Sequence, residues 1–410
     1  MESIFKVSVP NIKNSKLFVT STVLNATGSG LIMAFMMIYF NLTTTLSLSV
    51  IGLSISIGRT LSSIVPILIG PLLDKLGPKK LSIYGDFISG MGFIMCLFAR
   101  DPITIVLTQF FTQTGVHIFW TSNRGLVSLA SGSSGTKTWF GLIASIRNIG
   151  LGLGTFFTSL ALEINSGESL HLVIMASALL FFLSCLALLI WQPTSMEEET
   201  DDAEETEKHN LKRVFTDTTY RRLLIVNFGL VLAAMVIPLA IVVYVTEQLG
   251  LSPFFSGSLV ILNTVIVAGL STHVASWTKN HDPVKNIKWS YFFNIFSFVL
   301  FWMASITLEN KLVTYAILII AILIYSLAEI LSTPAANMLC INLAPKKNNG
   351  SYMAAFQMTW SVGMTLSPAI FGYLLDLNKH SIWAVLLLLT ILIFSVGFRN
   401  LKEEKKSGRY

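Results

Sequence analysis

Gly70-Pro71-Leu72-Leu73-Asp74-Lys75-Leu76-Gly77-Pro78-Lys79-Lys80-Leu81 joins two long apolar segments, which begin near Leu46 and end near Ala99. Gly77-Pro78 predicts a tight turn between two helices. The three lysines of the stretch favour the cytoplasmic side of a membrane. The stretch therefore predicts a cytoplasmic hairpin between two membrane-spanning helices.

The composition indicates an integral membrane protein. Of the 410 residues, 53% are hydrophobic and only 12% are charged, whereas about 25% of the residues in a soluble domain are charged. The net charge of +6 comes from basic residues scattered through short loops, which is unlike the basic face of a nucleic-acid-binding protein. Cys96, Cys185 and Cys340 each lie in an apolar segment without metal-ligand spacing, so we interpret them as small apolar residues.

Twelve apolar stretches are long enough to cross a membrane, which takes about 20 residues. They fall near residues 17–40, 46–72, 81–99, 103–130, 138–162, 169–192, 222–246, 254–277, 287–308, 312–343, 351–375 and 382–399. Between the first six and the last six lies a hydrophilic stretch with an acidic run at 197–205, which is either a regulatory tail or a solvated linker. The prediction is an all-α membrane protein with a six-helix bundle at 1–192, a linker at 193–221, and a second bundle with a cytoplasmic tail at 222–410.

The positions of the basic residues predict the orientation of the chain. Outside the apolar segments, most lysines and arginines fall on the side of the quoted loop and of both termini. The opposite side carries only Arg100, Lys311 and Lys379. Because basic loops stay in the cytoplasm, both termini are predicted to be cytoplasmic.

The two halves share a pattern, which predicts an internal duplication. Tyr39, Leu46 and Gly52 recur in the same order and spacing as Tyr244, Leu251 and Gly257. Further along, Gly150 and Leu162-Glu163 recur as Gly363 and Leu375-Asp376. Parallel repeats of this kind are one architecture of secondary transporters.

The quoted loop closely resembles the signature loop of the major facilitator superfamily, which joins that family's second and third helices. The matching positions are Gly70, Leu72, Asp74, Gly77, Lys79 and Lys80. The resemblance implies a twelve-helix transporter of two pseudo-symmetric six-helix bundles that rock about a site at the middle of the membrane. It also implies that the loop is a gate, in which Asp74 caps the eleventh helix near Gly350.

Two other segments are compared with drug exporters of that family. Their tenth helix often carries a Glu, a Pro and a Leu-Ala-Pro end, which are similar to Glu329, Pro334 and Leu343-Ala344-Pro345. Their fifth helix usually carries a G-x-x-x-G-P pattern, of which this chain keeps Gly150 and Gly154 but has Thr155 in place of the proline. The first match favours proton-coupled export, whereas the fifth segment departs from the exporters' pattern. We interpret the small residues as helix-packing positions.

Glu329 is the carboxylate that the sequence places deepest in the membrane. A charge there costs at least about 2.5–3.5 kcal/mol, so an ionisable residue in the membrane is expected to be functional. One hypothesis is that Glu329, with Tyr325 on the same helical face, carries a proton or contacts the substrate. The other is that it permanently neutralises Arg59 or Arg147.

Arg59 shares its helical face with Ser56 and Ser63, which predicts that it faces protein or a cavity rather than lipid. A guanidinium group suits an anionic substrate group, and an ion pair with an acid on another helix is the alternative. Arg147, in the fifth segment, is a second basic candidate.

The remaining candidates are polar residues inside apolar segments. They are Gln113 and His117 in the fourth segment and Asn25, Asn227 and Asn263 in the first, seventh and eighth. Each either lines a cavity or holds two helices together. Asp86 is expected near the cytoplasmic interface, in contact with the signature loop.

These observations predict a secondary active transporter that exports a small amphipathic molecule, a drug or natural product, in exchange for protons. The alternative is a carrier for a specific anionic or sugar-like solute, with Arg59 reading its charge and without obligatory proton coupling. The absence of GxxxxGK[ST] and HExxH patterns argues against an ATP-driven pump or a metalloprotease. We expect a monomer in a bacterial plasma membrane that needs no cofactor or metal and whose partners are substrate, protons and lipid, not nucleic acid.

Overall fold

The computed structural model describes residues 12–131, 136–164, 168–193, 211–277, 281–344 and 349–398. Regular structure within these ranges is helical, and no strand occurs in them. The chain forms two compact units, Met1–Thr200 and Asp201–Tyr410. The prediction of an all-α protein is confirmed. The acidic run at 197–205 lies outside the described residues.

Unit 1, Met1–Thr200, follows the first six predicted segments. Its helices are α1 (Lys16–Met33), α2 (Met36–Thr43), α3 (Leu48–Ser62), α4 (Val65–Cys96), α5 (Pro102–Ser131), α6 (Thr136–Ile164) and α7 (Glu168–Ile190). Helices α1 and α2 meet at a bend of 52° and together occupy the first segment. Helix α3 and the beginning of α4 occupy the second.

Helix α4 is two helices joined at Gly77, where the backbone leaves the helical conformation with φ 73° and ψ 161°. A side chain strongly disfavours this backbone conformation, which glycine adopts readily. Pro78 follows at the start of the next helix, where its missing N–H would have no partner in any case. The predicted turn at Gly77-Pro78 is therefore confirmed, and glycine provides the change of direction.

Helices α1 and α6 approach closely at Gly154. A Cβ atom at this position would lie 2.3 Å from the backbone nitrogen of Leu31, so the contact requires glycine. Thr155 donates a hydrogen bond to the Gly30 carbonyl at 3.4 Å, and Thr158 donates to the Leu31 carbonyl. The interpretation of these small residues as packing positions is confirmed, and the neighbouring threonines add hydrogen bonds between the same two helices.

Unit 2, Asp201–Tyr410, follows the last six predicted segments. Its helices are α8 (Leu211–Thr216), α9 (Thr218–Ala234), α10 (Val236–Leu239), α11 (Ile241–Val243), a π-helical turn (Tyr244–Gln248), α12 (Pro253–Trp277), α13 (Pro283–Ala304), α14 (Lys311–Leu343), α15 (Asn349–Leu377) and α16 (Ser381–Gly397). The segment from α9 to the π-helical turn is interrupted several times. Pro238, within α10, contributes to this because it has no N–H to donate.

One tyrosine in each unit supports the predicted duplication. The Tyr39 hydroxyl donates to the Cys96 carbonyl at 3.0 Å, and the Tyr244 hydroxyl donates to the Phe301 carbonyl at 2.6 Å. In both units the acceptor lies 57 residues beyond the donor, and both tyrosines are fully buried. Two residues that the sequence pattern pairs therefore make the same contact.

Five helical spans of the described chain are long and apolar enough to cross a membrane, and the bent α1–α2 pair would add a sixth. They are Glu168–Ile190, Thr218–Leu239, Pro253–Leu270, Pro283–Ala304 and Lys311–Leu343. The full count of twelve crossings stays a prediction.

Candidate functional site

Glu329 lies on α14 and is partly exposed. Asn263, from α12, donates from Nδ2 to Glu329 Oε2 at 3.0 Å and to Ser326 Oγ at 3.1 Å. The Asn263 amide therefore holds one carboxylate oxygen from a neighbouring helix. Two of the predicted candidates, Glu329 and Asn263, are brought together by the fold.

A small recess with a mainly apolar lining opens one turn beyond Glu329. Its cavity volume is about 20 Å³, and it lies between helices α9, α14 and α15. Its walls are formed by Asn227, Leu230, Ala234, Ser332, Thr333, Ala336, Asn337, Phe356 and Trp360. The side chains of Ser332 and Thr333 each donate to the Glu329 carbonyl, at 3.0 Å and 3.4 Å. These local bonds are common next to a helical proline such as Pro334, which weakens the hydrogen bonding of its helix.

Asn227 and Tyr325 hold helices together at this recess. Asn227 donates from Nδ2 to the hydroxyl of Thr359, which joins α9 to α15. The Tyr325 hydroxyl donates to the Ala233 carbonyl at 2.7 Å, which joins α14 to α9. Tyr325 is fully buried. Asn227 lines the recess and also joins two helices. It therefore combines the two alternatives, cavity lining and helix packing, that the sequence left open.

Unit 1 carries a separate polar stripe along α5. Gln109, Gln113, His117 and Trp120 follow one another at helical spacing, and they span about 16 Å at 1.5 Å per residue. Arg59, on α3, lies close enough to His117 to act on it electrostatically. At the other end, the Arg147 guanidinium carbon lies 4.9 Å from the centre of the Trp120 ring.

Gln109 is the least accessible member of this stripe, with 1% of its surface exposed. It packs against Gly58 of α3, where an added Cβ atom would lie 2.6 Å from Gln109 Cβ. Neither its Nε2 nor its Oε1 has a hydrogen-bond partner in the described part of the chain. An unsatisfied buried polar atom costs about 1–3 kcal/mol. The sequence places Gln109 at helical spacing from Gln113 and His117 but does not show that its amide is enclosed.

Asn25 and Asp86 form a buried cluster in unit 1 that the sequence did not predict. Asn25 donates from Nδ2 to Asp86 Oδ1 at 2.7 Å, and the Ser184 hydroxyl donates to Asp86 Oδ2. Ser184 also contacts the Ser21 hydroxyl at 2.9 Å. Asp86 is 0% exposed and Asn25 is 4% exposed, so Asn25 acts here between α1 and α4. The contact expected between Asp86 and the signature loop is replaced by these partners from α1 and α7.

In the signature loop, Gly77 forms the turn, and Lys79 donates from Nζ to the Leu189 carbonyl at 3.2 Å. That carbonyl belongs to the last turn of α7, where cations are stabilised by the helix dipole. Lys80 is exposed. The side-chain surroundings of Gly70 and Asp74 lie outside the described residues, and the proposed cap on the eleventh helix stays a prediction.

A family model described as the Major Facilitator Superfamily matches residues 18–368. Multidrug resistance protein MdtH of Enterobacter sp. (strain 638) is 21% identical over 329 residues, which cover 80% of this chain and 78% of MdtH. The uncharacterised MFS-type transporter YttB of Bacillus subtilis (strain 168) is 23% identical over 398 residues, 95% of each chain.

A solved structure shows the same fold. The crystal structure of the nucleoside transporter NupG superposes with a TM-score of 0.77 and covers 94% of this chain and 98% of its own. The two sequences are only 14% identical. The likeness therefore concerns the arrangement of helices.

Proposed function

Because the chain belongs to the Major Facilitator Superfamily, we propose that it is a secondary transporter that exports a small amphipathic molecule in exchange for protons. The comparisons support a membrane transporter rather than an enzyme. Export is favoured by the similarity to MdtH, a multidrug resistance protein. Gradient-driven transport requires no cofactor, and the basic loops favour cytoplasmic termini in a bacterial plasma membrane.

Glu329 carries this proposal. A proton carrier inside a membrane needs a carboxyl group that water or substrate can reach in at least one state and that the protein holds in place. Glu329 is partly exposed, and Asn263 fixes one of its oxygens. The recess one turn away, with Asn227, Asn337 and Trp360 in its walls, places amide and aromatic groups near this carboxylate.

The test is proton flux in proteoliposomes that contain a trapped pH dye. The vesicles are challenged with cationic dyes, organic anions and sugars under an imposed proton gradient. Wild-type protein should release protons only when a transported compound is present. Glu329→Gln, which keeps the side-chain shape and still accepts a hydrogen bond from Asn263, should lose this flux.

The matched control is Glu247→Gln, an exposed glutamate in the π-helical turn of the same unit. It should behave as wild type, because it removes a carboxylate outside the recess. Counterflow of a compound by wild-type protein without any proton movement would overturn the coupling. It would instead support a carrier for a specific solute that is not driven by protons.

A further inference from the structure

In the described part of unit 1, the Arg147 guanidinium group lies over the Trp120 ring. Arg147 is exposed, and its guanidinium carbon lies 4.9 Å from the centre of the indole ring. A guanidinium group stacked on a ring is fixed in orientation, while its N–H groups still point outward in their own plane. This arrangement suits a carboxylate or phosphate group, which accepts two parallel hydrogen bonds.

The charges around this pair favour an anion. His117 lies one turn from Trp120, and Arg59 acts on His117 from α3. Asp86, a carboxylate of unit 1, is fully engaged by Asn25 and Ser184. The other acidic residues whose side chains the structure describes in this unit lie at helix ends: Asp101, Glu163 and Glu168. Helix α5 itself carries no acidic residue, and Arg147 and Arg59 are basic residues of the helices beside it.

One further member of the stripe has a side chain that can contact polar atoms of a bound molecule. Gln113 is half-buried between Gln109 and His117 on α5, and its amide can donate and accept hydrogen bonds. Gln109 keeps a buried amide at a position where an apolar residue would be less costly. Gln113 and His117 are thus the accessible polar groups of the stripe, whereas Gln109 is enclosed against α3.

We propose that Arg147, held by Trp120, binds the anionic group of the transported molecule, and that the substrates are therefore amphipathic organic anions. The proposal rests on the proposed transport function but concerns binding rather than proton coupling. It assigns Arg147 as the charge-reading residue and gives Arg59 a secondary part, as a basic residue of a helix beside α5. A carboxylate and a phosphate share the chemistry that this site recognises.

The test compares three aromatic probes that differ only in their polar group: 2-naphthoate, 2-naphthyl phosphate and the neutral 2-naphthamide. Binding to purified protein in detergent is measured as ligand-dependent thermal stabilisation, because a ligand that binds the folded state raises the midpoint. At least one anionic probe should bind, and the amide should bind far more weakly. Arg147→Gln should weaken anion binding by about tenfold to a hundredfold, the range of one charged hydrogen bond.

Two further variants keep the proposal open to refutation. Arg147→Lys keeps the charge but loses the flat stacked geometry, so it should fall between wild type and Arg147→Gln. Arg221→Gln removes an exposed arginine of α9 and should change nothing. Equal binding of anion and amide, no binding of either anion, or equal weakening of both by Arg147→Gln would overturn the proposal. Loss of proton flux in Glu329→Gln with anion binding retained would support both proposals.

Discussion

Asp86 of unit 1 and Glu329 of unit 2 are both carboxylates inside predicted membrane segments, but the fold treats them differently. Asp86 has no exposed surface, and both of its oxygens accept hydrogen bonds, from Asn25 and Ser184. Glu329 is partly exposed, and Asn263 holds its Oε2. A fully satisfied buried polar group fixes packing, whereas a partly accessible one can exchange partners.

The comparison separates a buried carboxylate that accepts hydrogen bonds at both oxygens from a partly exposed one that Asn263 holds through Oε2. Asp86 joins α4 to α1 and α7, so any change there loosens three helices. Glu329 lies one turn from a recess and contacts α12 through a single amide. The sequence predicts different depths for the two acids but does not show which hydrogen bonds each accepts.

The largest expected effect on stability follows from this difference. Asp86→Ala should lower the free energy of unfolding by about 3 kcal/mol, because it leaves the Asn25 amide and the Ser184 hydroxyl buried without their acceptor. Glu329→Ala should cost about 1 kcal/mol, the net value of one hydrogen bond. Denaturant unfolding in detergent micelles measures both. Asp86→Asn is the control, since it keeps the volume and should cost less than Asp86→Ala. Equal losses of unfolding free energy for Asp86→Ala and Glu329→Ala would contradict the difference drawn between the two acids.

The sequence carries different information about the two acids: the role of Glu329 stays a prediction, and the hydrogen-bond partners of Asp86 were not predicted. Glu329 is followed by Pro334 and by Leu343-Ala344-Pro345, a local pattern that can be read along one helix. The partners of Asp86 lie 61 and 98 residues away along the chain. Contacts over such separations depend on which helices pack together, and hydrophobicity alone does not determine this. The same reason explains why the enclosure of Gln109 was not foreseen.

A second difference between the units concerns the close approach of two helices. Gly154 of α6 has room for no Cβ atom, because the backbone of Leu31 would lie 2.3 Å away. Ser367 of α15 follows Gly363 at the same spacing as Gly154 follows Gly150, and its buried hydroxyl donates to the Gly363 carbonyl at 2.6 Å. The position therefore tolerates a side chain in unit 2 but not in unit 1.

A loss of stability of intermediate size is expected when each of the two residues is replaced by the other type. Gly154→Ser should destabilise the protein by about 1–3 kcal/mol, because a backbone atom cannot rotate away from the new side chain. Ser367→Gly should cost about 0.5–1 kcal/mol, mainly through the greater freedom of the unfolded chain. The midpoints of denaturant unfolding report both. A larger loss of stability for Ser367→Gly than for Gly154→Ser would contradict the assignment of the close helix contact to unit 1.

The regular parts of the fold were accessible from sequence because they depend on local chemistry. Gly77 forms the predicted turn since its backbone conformation disfavours any side chain. Apolar stretches of sufficient length marked the helices, and Tyr39 and Tyr244 marked the duplication. The bend between α1 and α2 and the breaks after α9 were not predicted. Their positions depend on tertiary packing, and the one proline in the broken segment, Pro238, does not account for all of them.

The smallest effect compares the residues that start two long helices, Asp101 before α5 and Asn310 before α14. Asp101 Oδ1 accepts from the backbone N–H groups of Ile103 and Thr104 at 3.0 Å and 3.1 Å, and Asn310 Oδ1 accepts from Val313 at 3.3 Å. Hydrogen bonds from the Thr104 backbone and hydroxyl, and then from Ile103, hold the pKa of the Asp101 carboxyl below its usual range. A pKa lowered by folding gives stability that is present above the unfolded value, about 3.9 for Asp, and is lost as the pH falls below it.

Asp101→Asn should therefore lower the thermal midpoint slightly at pH 7 and leave it unchanged in acid below the native pKa, where wild-type Asp101 is also neutral. The effect is small because water screens this fully exposed group. Asn310→Asp should show the opposite dependence, with a gain at pH 7 that disappears in acid, since a negative charge is favourable at a helix N-terminus. Midpoints recorded across this pH range for wild type and both variants provide the measurement. Changes in the thermal midpoint that are the same at every pH would contradict this prediction. They would mean that both caps act through hydrogen-bond geometry and that the negative charge of Asp101 does not contribute to stability.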